Sequence, residues 1–162
     1  MSVPAYTELL TQNGWKSLEL LAAGELVCGL DLPNRAYTWA ALQQLSASSA
    51  EVFKYVHNDG EAFCATQNQS WIVDNLSIKN YAQIAPNESI VLQLDANVDQ
   101  LAEFAARAKR NERFVKSLQE TKVMSKAGLV QESVGNATVY TVKTPCNTVL
   151  IRQEGRYTLI GA

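Results

Sequence analysis

The feature of this sequence that most constrains its fold is the alternation of short apolar runs with glycine-containing turns. Asn13-Gly14, Asn58-Asp59-Gly60 and Gln153-Glu154-Gly155 each stand between two runs rich in strand-forming residues. Asn-Gly and Asp-Gly favour β-hairpins because both residues tolerate positive φ, and we expect a type I′ turn at Asn13-Gly14. The pattern predicts a mostly β fold.

Further strands are predicted where β-branched and aromatic residues cluster. They cover residues 36–42, 51–57, 61–66, 89–94 and 138–144, and a terminal hairpin joins 147–152 to 156–160. The polar stretch Ser46-Ala-Ser-Ser49 is predicted to be a loop. His57, the chain's only histidine, would pair with Ala62 and share a sheet face with Cys64 and Thr66. That register puts His57 about 13 Å from Thr66, too far for direct contact.

One segment has a helical pattern instead. Asn97 precedes Gln100 by three residues, which is a capping-box arrangement, and apolar residues then recur at helical spacing up to about Arg110. We expect a helix from Asp99 to about Arg110. We also expect the whole segment from about 95 to 135 to be a helical connection within a single domain that spans 1–162. Its basic residues are typical of a solvated face.

Composition narrows the classes of function. A chain of 162 residues can bury roughly 70% of its unfolded surface as one domain. Its 14 basic and 16 acidic residues give a net charge of −2, which argues against nucleic-acid binding. Its three cysteines are odd in number and lack metal-ligand spacing, so we expect no disulfide framework and a reducing cytoplasm. No apolar run approaches the ~18–20 residues of a membrane span, and we expect no signal peptide.

Four stretches, in order along the chain, carry a resemblance to inteins and other self-processing domains with the Hint fold. Ser2 leads into a strand, and residues 14–21 and 24–27 are similar to the family's "G-W-x-x-L-x-x-L" and "G-D/E-x-V". Residues 60–71 resemble "G-x-x-i-x-x-T-x-x-H", Val139–Val142 resembles "V-Y-D-L", and 155–162 resembles the last strand. The resemblance implies a horseshoe-like, mostly β Hint fold with one or two short helices, in a serine-type mini-intein.

The resemblance also implies a reaction. In this family a leading hydroxyl or thiol attacks the preceding carbonyl, the first downstream residue takes the acyl group, and a terminal Asn cyclises to release the domain. This is autocatalytic protein splicing, with no cofactor, metal, ATP or endonuclease. By motif, Ser2 is the nucleophile and Thr66 assists at the oxyanion or the leaving amine. The other candidate site residues are Gln69, His57, Thr141, Asn147, Gly161 and Ala162.

Four of these residues depart from the family's pattern. Gln69 stands where His is usual, Thr141 where Asp is usual, and Gly161 where a penultimate His is common. Gln69 can donate hydrogen bonds but cannot give up a proton as an imidazole does. Ala162 stands where Asn is needed, and we expect it to be an engineered replacement that traps the precursor.

The resemblance extends to a source and to partners. A serine nucleophile without the usual histidines is similar to the cysteine-less inteins of phage B-family DNA polymerases. It implies flanking exteins as partners, a phage polymerase as host, and a complementary half if the chain is split near 95–135. No nucleic-acid or membrane partner is expected.

Two other functions stay open at this stage. The departures at Gln69, Thr141 and Gly161 are compatible with an inactive Hint-like interaction module, and a third possibility is a domain that only cleaves its N-terminal junction. Cys146 could be an internal nucleophile, as in one intein class, although the family places that cysteine where Thr141 stands. Asn147 could orient the C-terminal junction or serve only in a turn.

Overall fold

The computed structural model describes residues 2–57, 60, 62–67, 69–73, 77–94, 113–115 and 120–162. The predicted mostly β fold is confirmed. The strands are β1 (Ser2–Pro4), β2 (Glu8–Thr11), β3 (Gly14–Ser17), β4 (Leu26–Asp31), β5 (Ala36–Ala41), β6 (Gln44–His57), β7 (Ala62–Ala65), β8 (Ser70–Val73), β9 (Ile78–Asn80), β10 (Ser89–Leu94), β11 (Arg113–Val115), β12 (Glu120–Ser125), β13 (Leu129–Lys143), β14 (Thr148–Gln153) and β15 (Arg156–Gly161).

The helices of the described ranges are single 3-10 turns at Leu18–Leu20, Tyr81–Gln83 and Lys126–Gly128. None of them has the length and apolar character that crossing a membrane would need. The predicted helix from Asp99 to Arg110 lies outside the described residues.

The strands form three antiparallel sheets. One has the order β1-β13-β6-β7, the second β12-β10-β8-β9, and the third β11-β5-β4-β2-β14-β15 with β3 paired to β2. The two edges of the first sheet approach each other, since the N–H of Thr66, just after β7, donates to the carbonyl of Ser2 at 2.9 Å. The head of the chain is therefore enclosed between β13 and the end of β7.

The longest pairing in the described fold runs between β6 and β13, from Leu129 opposite His57 to Lys143 opposite Gln44. The prediction of a loop at 46–49 is wrong, because these residues lie within β6 and pair with 138–141 of β13. The serines are exposed there, so the ladder of main-chain hydrogen bonds, and not apolar burial, keeps this stretch extended.

The central strands bury both faces, because successive side chains of a strand point to opposite sides. Leu9 packs with Trp71 in one hydrophobic cluster, and its neighbour Leu10 packs with Trp39 in a second. Trp71 is fully buried, which gives it the core role expected for a tryptophan on a strand.

The first hairpin forms, but the predicted type I′ turn is wrong. Thr11 pairs with Gly14, so the turn residues are Gln12 and Asn13, and neither has positive φ. The hydroxyl of Thr11 donates to the Gly14 carbonyl at 2.7 Å and accepts from the Asn13 N–H at 3.1 Å. This local side-chain hydrogen bonding selects a different turn.

The terminal hairpin is confirmed. β14 pairs with β15 and leaves Glu154 and Gly155 as a two-residue turn, with φ of 50° and 77°. Positive φ at both positions is what a type I′ hairpin requires.

Part of the predicted helical connection is strand. From Glu120 onward the chain forms β12, a 3-10 turn and β13, so the expectation of helix up to about 135 is wrong there. Val123 pairs with Val91 and Val130 pairs with Val56. Long-range pairing with β10 and β6 overrides local sequence preference in this stretch.

The predicted register of His57 is also wrong. Val56, and not His57, pairs with Ala62, so His57 lies beyond the β6–β7 ladder and opposite Leu129. A shift of one residue puts a side chain on the other face of the sheet, so His57 does not share a face with Cys64.

Candidate active site

Ser2 occupies the centre of the candidate site. It lies in β1 opposite Thr141 of β13, and it is only 8% exposed. Its Oγ is 2.7 Å from the Oγ1 of Thr141, a short hydroxyl–hydroxyl hydrogen bond in which either group can be the donor. Thr141 therefore fixes the orientation of the Ser2 hydroxyl.

Thr66 contacts Ser2 from the other side. The Ser2 N–H donates to the Oγ1 of Thr66 at 3.1 Å, and the Thr66 N–H donates to the Ser2 carbonyl at 2.9 Å. The Thr66 hydroxyl also lies 3.3 Å from that carbonyl oxygen. The nitrogen of Ser2 belongs to the peptide bond that precedes it, so Thr66 touches that bond directly.

The loop that carries Thr66 is fixed by residues that the sequence analysis missed. The hydroxyl of Tyr55 lies 2.7 Å from the Thr66 carbonyl and 2.6 Å from the Gln67 carbonyl. Gln131 donates to both the Tyr55 hydroxyl and the Gln67 carbonyl, at 3.1 and 3.0 Å. Burial raises the pKa of Tyr55 to about 12, so its hydroxyl stays a donor across the neutral range. Gln131 lies 64 residues from Gln67 in the sequence, and no local pattern marks either Gln131 or Tyr55 as a partner of this loop.

Gln69 lies with the other end of the chain. Its side chain is fully buried, and its Nε2 donates to the Ser70 carbonyl at 2.9 Å and the Gly161 carbonyl at 3.2 Å. Its Oε1 is buried without a hydrogen-bond partner among the described residues. The structure thus places Gln69 against the C-terminal residues.

The last two residues are held closely. The Ala162 N–H donates to the Asn147 carbonyl at 2.9 Å, and Asn147 adopts the left-handed conformation with φ of 61°. A Cβ on Gly161 would come within 2.7 Å of the Ser70 Cβ and 3.0 Å of the Ile78 Cγ2. A side chain at this position would therefore require Ser70 or the last strand to shift.

The two ends of the chain meet at a small cavity, and a larger one lies beside the C-terminal end. A cavity of about 10 Å³ is lined by Ser2, Gln69 and Ala162, together with Val3, Tyr140, Val142, Ile160 and Gly161. This is close to the space that one water molecule needs. A larger, open cavity of about 480 Å³ is lined by Thr141, Asn147 and Ala162, with Gln44, Ile78, Val142 and Lys143.

The structure does not bring every candidate residue to this place. His57 lines neither of the two cavities. Cys146 faces a different cavity of about 410 Å³, beside Asp31 and Trp39, and its Sγ is 3.4 Å from the Thr148 carbonyl. Within the described ranges, no three His, Cys, Asp or Glu side chains come together as a metal site requires.

Solved structures of the same fold cover nearly the whole chain. A GSH-linked, splice-inactive variant of the AceL NrdHF class 3 split intein has a TM-score of 0.72 at 11% identity, covering 99% of this chain and 97% of that one. A DnaB intein from Synechocystis sp. PCC 6803 has a TM-score of 0.65 at 11% identity, with the same coverage. The gp41-1 intein has a TM-score of 0.59 at 10% identity, covering 100% of this chain and 99% of that one.

No protein-family profile and no curated protein sequence matches the chain. Structural similarity at such low identity establishes architecture, while function must be argued from the site itself. The chain has the Hint fold of inteins.

Proposed function

We propose that this chain is a self-processing, protein-splicing domain whose first step is an N-to-O acyl shift at Ser2. The Ser2 Oγ attacks the carbonyl carbon of the preceding residue. A C–O bond forms, the C–N bond to Ser2 breaks, and the hydroxyl proton passes to the released amine. The observation that carries this proposal is the 3.1 Å contact between the Ser2 nitrogen and the Thr66 hydroxyl, because that nitrogen is the leaving group.

Thr141 and Thr66 have different roles in this step. Thr141 orients the Ser2 hydroxyl, while the Thr66 hydroxyl can donate to the amine nitrogen once that atom gains a lone pair. Serine is a weak nucleophile at neutral pH, and neither threonine titrates there. We therefore expect a slow reaction that depends mainly on positioning.

The later steps need groups beyond the first junction. The residue after 162 takes the acyl group from Ser2, and an Asn at 162 cyclises to release the domain. Ala162 has no carboxamide, so the chain with Ala162 stops before release. The flanking exteins are its partners in this proposal. A phage polymerase host, membership of the cysteine-less inteins and a complementary split half remain predictions from the sequence resemblance.

The test embeds the chain between two marker proteins, with Ala162→Asn and a Ser or Thr immediately after it, and follows the products by mass. Ligated markers together with the free domain support splicing. Ser2→Ala should abolish N-terminal cleavage, whereas Ser48→Ala, which removes an exposed hydroxyl of β6, should change nothing. Cleavage that persists in Ser2→Ala and disappears in Cys146→Ser would contradict the assignment of the nucleophile.

A second candidate function is N-terminal autocleavage without ligation. The observation that favours it is Ala162 itself, since alanine has no carboxamide with which to cyclise, whereas the acyl shift at Ser2 needs none. In the same experiment a single cut before Ser2, with no ligated product in the Ala162→Asn chain, supports this function. An intact precursor supports the inactive interaction module.

A further inference from the structure

We infer that Gln69 is a positioning residue for the C-terminal junction, where it holds residue 162 for cyclisation. This inference rests on the proposed function. By motif, Gln69 belongs with Thr66 in the N-terminal step. In the structure its amide instead donates to the carbonyls of Ser70 and Gly161.

The peptide bond between Gly161 and Ala162 is clamped on both sides. Its carbonyl accepts from the Gln69 Nε2 at 3.2 Å, and its N–H donates to the Asn147 carbonyl at 2.9 Å. With this peptide plane fixed, the remaining freedom at the junction is rotation within residue 162. Gln69 and Asn147 therefore determine where the side chain of residue 162 begins.

The approach of Gln69 to the terminus depends on the local backbone. Because Gly161 has no Cβ, the last strand lies directly against Ser70, the neighbour of Gln69. The bond from Nε2 to the Ser70 carbonyl fixes the rotamer of Gln69, and the Gln69 carbonyl accepts from the Tyr81 N–H at 3.0 Å. Hydrogen bonds of both the backbone and the side chain of Gln69 therefore fix the position of its amide group.

A second, independent observation is the missing partner of the Gln69 Oε1. This atom is fully buried and no described residue donates to it, an arrangement that costs free energy and requires an explanation. Gln69 and Ala162 line the same small cavity. The geometry points to the carboxamide N–H of an Asn at 162 as the donor that the Oε1 accepts.

This contact would orient the nucleophile of the release step. The Nδ2 of Asn at 162 bonds to the main-chain carbonyl carbon of residue 162, and the peptide bond to the next residue breaks. The proton lost by Nδ2 ends on the released amine. Gln69 gains and loses no proton in this step, and its role is to restrict the rotation of the carboxamide.

Two precursors separate the two junctions. The first keeps Ala162 and carries a marker before Ser2, so hydroxylamine cleavage reports only on the acyl shift. The second carries Ser2→Ala and Ala162→Asn with a marker after residue 162, so marker release reports only on cyclisation. Gln69→Met is placed in both, because methionine has a similar length and makes no comparable hydrogen bond. The matched control is Gln43→Met, which alters an exposed side chain outside the site.

Gln69→Met should slow release at the C-terminal junction about tenfold, the scale of one lost hydrogen bond, and leave hydroxylamine cleavage within about twofold. Equal losses at both junctions together with a lower Tm would overturn the inference in favour of a merely structural role. Loss at the N-terminal junction alone, or no loss, would also overturn it. If the parent precursors react at neither junction, the proposed function fails and this assignment fails with it.

Discussion

At the scale of single residues, the candidate site consists of hydroxyl groups and one buried amide. Ser2, Thr66 and Thr141 are linked by hydrogen bonds of 2.7 to 3.1 Å. None of these groups carries charge near neutral pH, so none can act as an acid or base in the way an imidazole does. Catalysis at this site must therefore depend on the positions of the hydroxyl groups.

Replacing Thr66 with valine tests this directly. Valine keeps the shape of threonine but removes the hydroxyl from the Ser2 nitrogen, so the acyl shift should slow by about tenfold. Thr66→Ser keeps the hydroxyl and should retain most of the rate. The measurement is the rate of hydroxylamine cleavage before Ser2. Equal rates in the valine and serine variants would contradict a role for the hydroxyl.

Tyr55 contacts the main-chain carbonyl of Thr66. Tyr55→Phe should lower the free energy of unfolding by about 0.5–1.5 kcal/mol at neutral pH, because the half-buried Thr66 carbonyl loses its side-chain donor. The Gln67 carbonyl keeps a donor in Gln131. Folding raises the pKa of Tyr55 to about 12, so the hydroxyl's contribution is complete below pH 10 and is lost as the pH rises toward 12. Denaturant titrations should therefore show the gap between Tyr55→Phe and the parent narrowing from pH 10 to 12. A gap that stays constant would contradict this account.

Gly161 tests the close packing at the terminus. Gly161→Ala should lower the free energy of unfolding by about 1–3 kcal/mol, because the new Cβ would lie 2.7 Å from the Ser70 Cβ. Ser70→Gly removes that atom, so the double variant should be less destabilised than the sum of the single variants. If denaturant titrations give additive values, the contact with the Ser70 Cβ is not the cause of the destabilisation by Gly161→Ala.

At the scale of elements, the strands and turns that depend on local turn residues could be predicted from the sequence, and those that depend on distant strand pairing could not. The terminal hairpin was predictable because Glu154-Gly155 lies between two apolar runs. The 46–49 stretch of β6 and the strand after Glu120 were not, because their partners lie tens of residues away in β13 and β10. The type I′ turn expected at Asn13-Gly14 failed because the Thr11 hydroxyl forms a competing local hydrogen bond.

The turn of the terminal hairpin offers a stabilising substitution. Glu154 adopts φ of 50°, a conformation that costs an ordinary residue roughly 1 kcal/mol and that asparagine tolerates better. Glu154→Asn should therefore raise the free energy of unfolding by about 0.5–1 kcal/mol. Glu154→Gln removes the charge but keeps the strain and should not have this effect. If Glu154→Asn and Glu154→Gln raise the free energy of unfolding equally, the gain comes from loss of the negative charge and not from relief of backbone strain.

At the scale of the whole molecule, the sheets bring the two ends of the chain together. Motif order in the sequence predicted that Ser2, Thr66 and Thr141 belong to one site, and the structure places them in contact. The sequence could not predict that Gln69 lies against Gly161, or that Tyr55 and Gln131 hold the Thr66 loop. The Gln69–Gly161 contact joins residues 92 positions apart, and the contact of Gln131 with Tyr55 joins residues 76 positions apart, so both depend on how the sheets pack.

The central claim is that the Ser2 hydroxyl attacks the peptide bond that Thr66 contacts. The most direct measurement treats a marker fused immediately before Ser2, in the Ala162 chain, with hydroxylamine and determines the mass of the released marker. The claim predicts a marker that ends in a hydroxamate, formed from an ester at Ser2, and no release from Ser2→Ala. An uncleaved fusion, or equal release from Ser2→Ala, would contradict it.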